Sequence, residues 1–486
     1  AARVITQLEK GYSESTSTIL ADARYGFIEG ALKETRKIKE QEKRKVLKPD
    51  DLLTHRVLGF PIFIFFMYLM FNTTFKLGSY PMDWIDSGIG ALGNLIGNSM
   101  PESWLRNLIV DGIIGGVGGV IIFLPNILIL FFFISLMEDT GYMARTAFIL
   151  DKLMHKIGLH GKSFIPLLMG FGCNVPAIMA TRTLENKSDR ILTMLIAPFM
   201  SCSARLPVYV LIISAFFPNN QGLILFSIYS FGILMAVTVA LIMKKSPYFK
   251  KEVPFVMELP PYRIPTLKNT SMHMWFKAKQ YVKKMGTVIL VASVVVWALG
   301  YFPREVEYSQ DYDRQIEAMA SSQSADISDA ESEITRLNLL KDSERQEQSY
   351  IGRLGHFVAP AIEPLGFDWK IGVSLISGLI AKEIVVSTMG VLYQAGQDAG
   401  EDSGTLVTSL RNEVYQQGRK KGEKVYSPLV AISFMLFILI YFPCVAVIAA
   451  IRKESNWKWA VFTMVYTTAL AWIVSFVVFQ TGSLLI

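Results

Sequence analysis

The sequence predicts an all-α, polytopic helical membrane protein with interrupted, re-entrant helices arranged as an inverted repeat. Of the 486 residues, 51% are hydrophobic and only 18% are charged, whereas soluble domains carry about 25% charged residues. Several apolar stretches reach the ~18–20 residues that cross a bilayer as a helix. Prolines and glycines interrupt apolar segments at comparable places in both halves of the chain, a pattern typical of transporters.

The basic residues lie between the apolar stretches, so the net charge of +7 indicates membrane-protein loops and no nucleic-acid partner. The loop at 244–284 holds 10 Lys or Arg and two acidic residues, which predicts that it is cytoplasmic. Residues 303–349 hold 12 acidic and five basic residues, so we expect an extracytoplasmic domain or helical loop there. These loops predict a cytoplasmic N terminus, while the charges at 394–427 leave the side of the C terminus open.

The first 55 residues are polar and helical in pattern. We expect the end of a cytoplasmic helical linker domain at 1–55, with a basic helix from Lys33 to Lys48 that is either bound to the membrane surface or simply solvated. The chain begins without a methionine or a signal peptide, and its first residues resemble the middle of a folded helical unit. We therefore expect a further segment upstream.

Residues 56–302 are predicted to form the first membrane half. A glycine-rich segment flanked by tryptophans, 81–107, is expected to lie in the membrane interface, and Pro125 to kink the span that follows. Charged residues at 138–162 indicate an amphipathic cytoplasmic helix, and the proline-interrupted stretch 163–180 is interpreted as a re-entrant hairpin. Crossing helices are expected at 55–75, 108–137, 191–217, 222–243 and 285–302.

The second membrane half is predicted at 350–486. It starts with a region interrupted by prolines and glycines, 351–393, and continues with spans at 428–451 and 457–481. Both halves therefore place an interrupted region ahead of two spans. In each half the first of these spans carries a proline near a cysteine, and the pairs are Pro198 with Cys202 and Pro443 with Cys444. Helices broken at matching places predict a substrate site at the repeat interface.

The first candidate segment is GFGCNVPA at 170–177, where glycines and a proline surround Cys173 and Asn174. Irregular backbone survives at membrane depth only where protein buries it or where it lines a polar cavity. Cys173 and Asn174 are therefore candidates for an ion path, and the alternative is a kinked packing contact with an inert thiol.

The second candidate segment, PFMSCSARLPVY, holds Ser201, Cys202, Ser203 and Arg205 near the centre of an apolar stretch. An arginine at membrane depth costs several kcal/mol unless it is paired, so by default it marks a functional site. The alternative is that Arg205 only caps backbone carbonyls at helix ends.

Lys382 and Glu383 lie together in the apolar segment GLIAKEIVVSTMGVLY. We hypothesise that Glu383 pairs with Arg205 in one state and is available to a cation in another. The alternative is a lysine that extends to the interface beside a solvated glutamate. Arg205, Lys382 and Glu138 are the candidate gating and charge-pair residues.

The three cysteines all lie at interrupted points, the third being Cys444 in YFPCVAVI, and they are too few for a disulfide framework. Thiolate ligands favour iron, copper or zinc over Mg²⁺ and Ca²⁺. The predicted metal ligands are Cys173, Cys202, Cys444, Asn174, Ser201, Ser203 and Glu383. A lone buried thiol is often only a small hydrophobic residue, so the three are considered as a set.

No catalytic residue or bound cofactor is expected. The segment HGKS at 160–163 ends like a phosphate-binding loop, but Lys156 stands where that motif requires glycine. We therefore expect a transporter and not an enzyme.

These segments, in this order, resemble the FeoB family of ferrous-iron transporters. ADARYGFIEG at 21–30 is similar to the end of that family's helical domain, and residues 137–190 are a dense match. PFMSCSARLPVY completes the first Gate motif, at 163–209, and the segment around GLIAKEIVVSTMGVLY forms the second.

The resemblance implies uptake of Fe²⁺ across a bacterial inner membrane, with Cys173, Cys202 and Cys444 lining the ion path. It also implies an N-terminal G domain, outside this chain, which binds GTP with Mg²⁺, and the partner proteins FeoA and, in some members, FeoC. A homo-oligomer is left open.

Two other functions remain open at the sequence level. Gate regions resemble those of nucleoside carriers, although the polar groups here are thiols, hydroxyls and single charges, not the amide and aromatic groups that a base and ribose require. The second alternative is a thiol-based membrane protein that reduces or senses metal. The sequence offers no haem-binding histidine pair and no flavin motif for that function.

Overall fold

The computed structural model describes residues 58–101, 103–249, 265–304, 306–321, 327–394, 404–415 and 422–485, together with residue 53 and single helical residues between 24 and 31. Its contacts divide the chain into Ala1–Leu53 and Thr54–Ile486, and the second unit holds nearly all of the described residues. The predicted basic helix Lys33–Lys48 and most of the predicted linker domain lie outside the described residues.

The described residues are helical apart from turns and one isolated antiparallel bridge, between Val414 and Lys424. The helices up to the acidic segment are α1 (Gly59–Ser99), α2 (Trp104–Asn107), α3 (Gly116–Ile122), α4 (Leu124–Asp139), α5 (Tyr142–Lys156), α6 (Phe164–Gly170), α7 (Asn174–Ala180), α8 (Lys187–Ile196), α9 (Leu206–Phe216), α10 (Gln221–Lys244) and α11 (Leu267–Tyr301). The remaining helices are α12 (Tyr312–Ser321), α13 (Ile327–Gln348), α14 (Tyr350–Ile362), α15 (Trp369–Ser377), α16 (Ile384–Leu392), α17 (Gly404–Asn412), α18 (Pro428–Ile440), α19 (Val445–Glu454) and α20 (Trp457–Leu485).

The predicted class of polytopic helical membrane protein is confirmed. Among the described residues, five helical stretches are long and apolar enough to cross a membrane, or six if α4 and α5, bent by 79°, form one span. Two of the five, 187–216 and 428–454, contain breaks, and 67% and 78% of their most apolar windows are buried. The three continuous stretches are only 22–28% buried, so the broken spans lie inside the bundle and the continuous ones around it.

The predicted span at 55–75 with a separate interfacial helix at 81–107 is wrong. Helix α1 continues through Pro81 to Ser99, and its 41 residues measure about 60 Å, twice the hydrocarbon thickness of a bilayer. Buried residues recur at helical spacing along it, and Met67, Met70, Thr74 and Gly78 are among them. Because this helix packs against α4, tertiary contacts stabilise it as one continuous helix although Pro81 disfavours helix.

The predicted span at 108–137 is divided rather than kinked. A π-helix at Leu108–Gly115 leads into α3, and α4 starts afresh with Pro125 in its first turn. Proline is tolerated there because its missing N–H would have no intrahelical partner. Of the other predicted helices, 138–162 contains α5, the acidic segment 303–349 contains α12 and α13, and the spans 222–243 and 457–481 agree with α10 and α20. The predicted span 285–302 is only the second part of the longer helix α11, and the spans 191–217 and 428–451 are the broken pairs α8–α9 and α18–α19.

The predicted duplication is visible in the order of the elements. In the first half, the pair α6–α7 breaks at 171–173 and the pair α8–α9 breaks at 197–205, before the continuous helix α10. In the second half, α15–α16 breaks at 378–383 and α18–α19 at 441–444, before the continuous helix α20.

One backbone hydrogen bond recurs in both halves. Ser203 N–H donates to Gly172 C=O at 3.3 Å, and Val445 N–H donates to Leu379 C=O at 2.9 Å. In both halves the second break contains a cysteine, and the residue directly after that cysteine donates its N–H. The acceptor in both halves is a carbonyl of the first break. The two halves therefore join their paired breaks in the same way.

Candidate metal site

All four breaks line a single cavity of about 120 Å³, which α1 and α4 cover on one side. The cavity brings together most of the residues that the sequence singled out. From the four breaks these are Cys173, Asn174, Cys202, Ser203, Arg205, Lys382, Glu383 and Cys444.

The four ligand candidates with a thiol or carboxylate occupy equivalent positions. Cys173, Glu383 and Cys444 are each the N-cap residue of the short helix that follows a break, and Cys202 is the N-cap residue of the 3-10 turn Ser203–Arg205 that leads into α9. The cysteines have extended backbone there, because the chain has left one helix and has not yet entered the next. An N-cap side chain lies beside backbone N–H groups that have no intrahelical partner, so a metal-bound thiolate at this position is electrostatically favoured.

In the first half, two side chains fasten the breaks to each other. Ser203 Oγ donates to the Gly172 carbonyl at 3.0 Å, and Asn174 Nδ2 donates to the Met200 carbonyl at 3.3 Å. The Ser203 hydroxyl and the Asn174 amide therefore act as hydrogen-bond donors to backbone carbonyls. The lone pairs of their side-chain oxygens stay available to a cation.

Arg205 caps backbone carbonyls, the alternative that the sequence left open. Its side chain is 1% exposed and donates to the Pro198 carbonyl at 3.1 Å and the Met200 carbonyl at 3.3 Å. Within the described part of the chain, no ion pair joins Arg205 to Glu383 in this conformation. The pairing hypothesis therefore concerns another state of the molecule.

Lys382 is buried, so the interpretation that it extends to the interface is wrong. It is 2% exposed, and its Nζ donates to the Phe442 carbonyl at 2.8 Å and lies 3.3 Å from the centre of the Tyr441 ring. These contacts join the two breaks of the second half and hold the Lys382 amino group at the cavity wall.

Several polar atoms at the cavity have no hydrogen-bond partner among the described residues. They are Thr74 Oγ1, Asn126 Oδ1, Asn174 Oδ1 and Arg205 Nε. Buried polar atoms are almost always satisfied, so such a group of orphans indicates a place that water or an ion occupies.

Thr74 and Asn126 were missed by the sequence analysis. Asn126 follows Pro125 inside the apolar run FLPNILIL, and a polar residue after a helix breaker was a usable signal. Thr74 carried no signal, because a buried threonine in a helix ordinarily bonds its own backbone. Gly78 brings α1 close to Asn126: a Cβ at Gly78 would overlap Asn126 Oδ1.

Two predicted site residues lie away from the cavity lining. Ser201 is buried within the second break and its Oγ has no partner among the described residues. Glu138, near the end of α4, borders a different cavity of about 530 Å³, together with Lys162 and Arg182. Across the described residues, no group of three or more His, Cys, Asp or Glu side chains is arranged to hold one metal ion.

Comparison with known families agrees with this architecture. A family model described as "Nucleoside recognition", named Gate, matches residues 120–216 and 282–458, which include all four breaks. A second model, "Ferrous iron transport protein B C terminus", matches residues 225–277. No solved structure matches the chain.

Curated relatives point to the same family. An "Fe(2+) transport protein A/Fe(2+) transporter FeoB fusion protein" of Porphyromonas gingivalis is 54% identical over 97% of this chain and 56% of its own length. An "Fe(2+) transporter FeoB" of Campylobacter jejuni is 44% identical over 90% of this chain and 66% of its own length, and one of Staphylococcus aureus is 40% identical. The chain thus spans between about half and two thirds of these relatives. It belongs to the FeoB family, of which it contains the membrane region with both Gate segments.

Proposed function

We propose that this chain is the permease part of a bacterial Fe²⁺ importer, and that Fe²⁺ crosses the inner membrane through the cavity between the four breaks. The observation that carries the proposal is the convergence of Cys173, Cys202, Cys444 and Glu383 on that cavity. The choice of Fe²⁺ as the ion rests on the names of these relatives, which are all named as Fe²⁺ transporters.

In this proposal the ion is passed along the cavity rather than stored in it. The three thiols are the main ligands, with oxygen atoms of Asn174 and Ser203 beside them. Ser201, from the same break as Cys202, is a further ligand candidate. An ion path must bind strongly enough to admit the ion and weakly enough to release it. The lack of a three-ligand cluster among the described residues is consistent with such transient coordination.

The ligand chemistry of the cavity favours soft metal ions. Its described lining holds two basic side chains, Arg205 and Lys382, and one carboxyl group, that of Glu383. With a single carboxyl group there, a divalent cation depends on the thiols, which bind it as thiolates. Iron does so, whereas Mg²⁺ and Ca²⁺ prefer oxygen ligands.

The remaining parts of the proposal concern what lies around the cavity. A G domain outside this chain would bind GTP with Mg²⁺ and gate the permease, so these residues would carry no enzymatic step. FeoA is a proposed partner because one relative is named as a fusion with Fe²⁺ transport protein A. FeoC, a homo-oligomer and a cytoplasmic N terminus are proposed on the family resemblance and on the basic loop at 244–284.

A nucleoside carrier is not favoured, despite the description of the Gate model. Sites for organic molecules commonly measure about 300–1,000 Å³. The cavity between the breaks measures about 120 Å³, which is below that range.

Ion flux into proteoliposomes tests the proposal. Vesicles carrying the chain and loaded with an Fe²⁺ chelator should develop colour when Fe²⁺ is added under reducing conditions. Loss of a group that merely supports a metal ligand costs about 10–100-fold in affinity. Cys173→Ser and Cys202→Ser should therefore lower the initial rate by at least that factor.

The matched control is Ser475→Ala, which changes a buried hydroxyl in α20 that donates to the Ser433 carbonyl, and neither residue lines the cavity. It should leave the rate of Fe²⁺ uptake unchanged. If the variant without any of the three cysteines transports Fe²⁺ at the wild-type rate, the ligand assignment is refuted.

A further inference from the structure

A groove of about 540 Å³ lies between α11, α19 and α20. Its two ends differ in chemistry. The long apolar part is lined by Val288, Phe442, Val445, Ile448, Ala449 and Met464, and the other end by Arg452, Lys453 and Trp457.

The polar end of the groove carries two cations without a carboxylate. Arg452 and Lys453 are exposed, and neither has an acidic partner in the described part of the chain. The adjacent Glu454 cannot neutralise them, because its side chain is only 3% exposed and is held by Arg182 and Arg190.

Trp457 marks this end of the groove as a membrane interface. Its side chain is 57% exposed, and the Arg452 guanidinium lies 5.4 Å from the centre of its ring. Tryptophan is enriched at the level of lipid headgroups, and exposed basic residues beside it attract anionic lipids.

The apolar part has the depth of one membrane leaflet. Helix α19, which forms one wall, has 10 residues and is therefore about 15 Å long, half of the ~30 Å hydrocarbon core. An acyl chain in the groove would extend from Trp457 past Ala449 to Phe442.

We infer that this groove is a specific site for an anionic phospholipid. The phosphate group lies against Arg452 and Lys453, and one acyl chain fills the apolar part as far as Phe442. The Phe442 carbonyl accepts the hydrogen bond from Lys382, so the bound lipid supports the break that carries Cys444. The lipid site does not depend on which ion the permease carries.

Native mass spectrometry of the purified, delipidated chain tests the site. Phosphatidylglycerol should bind with one tight equivalent, and phosphatidylcholine should not. Both cations attract the anionic headgroup. Removing both in Arg452→Gln/Lys453→Gln should therefore weaken phosphatidylglycerol binding by roughly 30-fold. Ala449→Trp, which fills the apolar part and leaves both charges in place, should also weaken it.

The matched control is Lys187→Gln/Lys245→Gln, which removes two exposed cations from the ends of α8 and α10, outside the groove. It should retain the tight equivalent. Equal binding of phosphatidylglycerol to wild type and Arg452→Gln/Lys453→Gln would overturn the inference. Displacement of the lipid by millimolar inorganic phosphate would also overturn it, because the groove would then be a site for free anions.

Discussion

At the scale of single residues, glycine decides how closely α1 approaches the cavity. Gly78 is the point where α1 meets Asn126 of α4, whose Oδ1 is one of the unsatisfied atoms at the cavity. A methyl group at this position must displace either the amide or the helix. The absence of a side chain at Gly78 therefore sets how closely α1 packs against α4 and where the Asn126 amide lies in the cavity wall.

Gly78→Ala should destabilise the protein by about 1–3 kcal/mol, the usual cost of overpacking. Gly88→Ala is the control in the same helix, since a Cβ there meets nothing within 4 Å. That change should be neutral or stabilising by up to about 1 kcal/mol, because alanine favours helix more than glycine does. Thermal unfolding in detergent compares the two, and equal effects would contradict the packing argument.

His160 adds a pH dependence outside the membrane spans. Its Nδ1 accepts a hydrogen bond from Lys162 N–H at 3.0 Å, and burial lowers the pKa of His160 below its ordinary value of 6.5. A pKa lowered on folding gives stability that is complete above the unfolded value and is lost as the pH falls through the folded value.

Wild type should therefore lose more thermal stability between pH 7.5 and pH 5.5 than His160→Gln, which cannot be protonated. Melting curves at the two pH values provide the measurement, and an unchanged pH dependence in His160→Gln would refute this role.

At the scale of elements, the broken helices are held by contacts between breaks. Lys382 joins the two breaks of the second half through the Phe442 carbonyl, beside the Val445–Leu379 backbone hydrogen bond. A buried carbonyl that loses its donor costs about 1–3 kcal/mol. The geometry at Cys444 therefore depends on a side chain from another helix pair.

Lys382→Met should speed hydrogen exchange at the Val445 amide, because its acceptor would no longer be held in place. Lys76→Met, at an exposed position of α1, should leave the Val445 amide unchanged. Exchange detected by mass spectrometry on peptides covering 441–450 reports the difference. Identical exchange in Lys382→Met and wild type would show that the two breaks are independent.

The interrupted elements could be predicted from sequence because their signals are local. Proline, glycine and single charges within apolar runs located the breaks that carry Cys173, Cys202, Glu383 and Cys444. The continuity of α1 past Pro81 could not be predicted, since it depends on packing against α4. The capping role of Arg205 also depends on tertiary structure, because its residue type predicts a partner without naming it.

At the scale of the whole molecule, an ion-pair hub joins the two halves. Glu454, at the end of α19, binds Arg182 after α7 and Arg190 of α8, and Arg190 Nη2 also donates to the Glu454 carbonyl at 2.8 Å. Cys173 and Cys444 are the N-cap residues of α7 and α19, and these two helices pack against each other. The hub thus fixes the far ends of two helices whose N-cap residues line the cavity.

Glu454→Gln should lower the stability by roughly 1–3 kcal/mol, less than for fully buried pairs because both arginines are partly exposed. Glu185→Gln is the control, because Glu185 is 88% exposed in its pair with Lys162 and should contribute less than about 1 kcal/mol. Chemical unfolding in mild detergent measures both, and a neutral Glu454→Gln would show that the halves are held by apolar packing alone.

Protection of the three thiols by metal tests the central claim most directly, namely that one ion path runs through all the breaks. The alkylation rates of Cys173, Cys202 and Cys444 with a small maleimide can be measured by peptide mass spectrometry with Fe²⁺ or Mg²⁺ present. Fe²⁺ should slow the alkylation of all three cysteines, whereas Mg²⁺ should slow the alkylation of none of them. Protection of only one cysteine, or equal protection by Mg²⁺, would contradict a shared thiol-lined path.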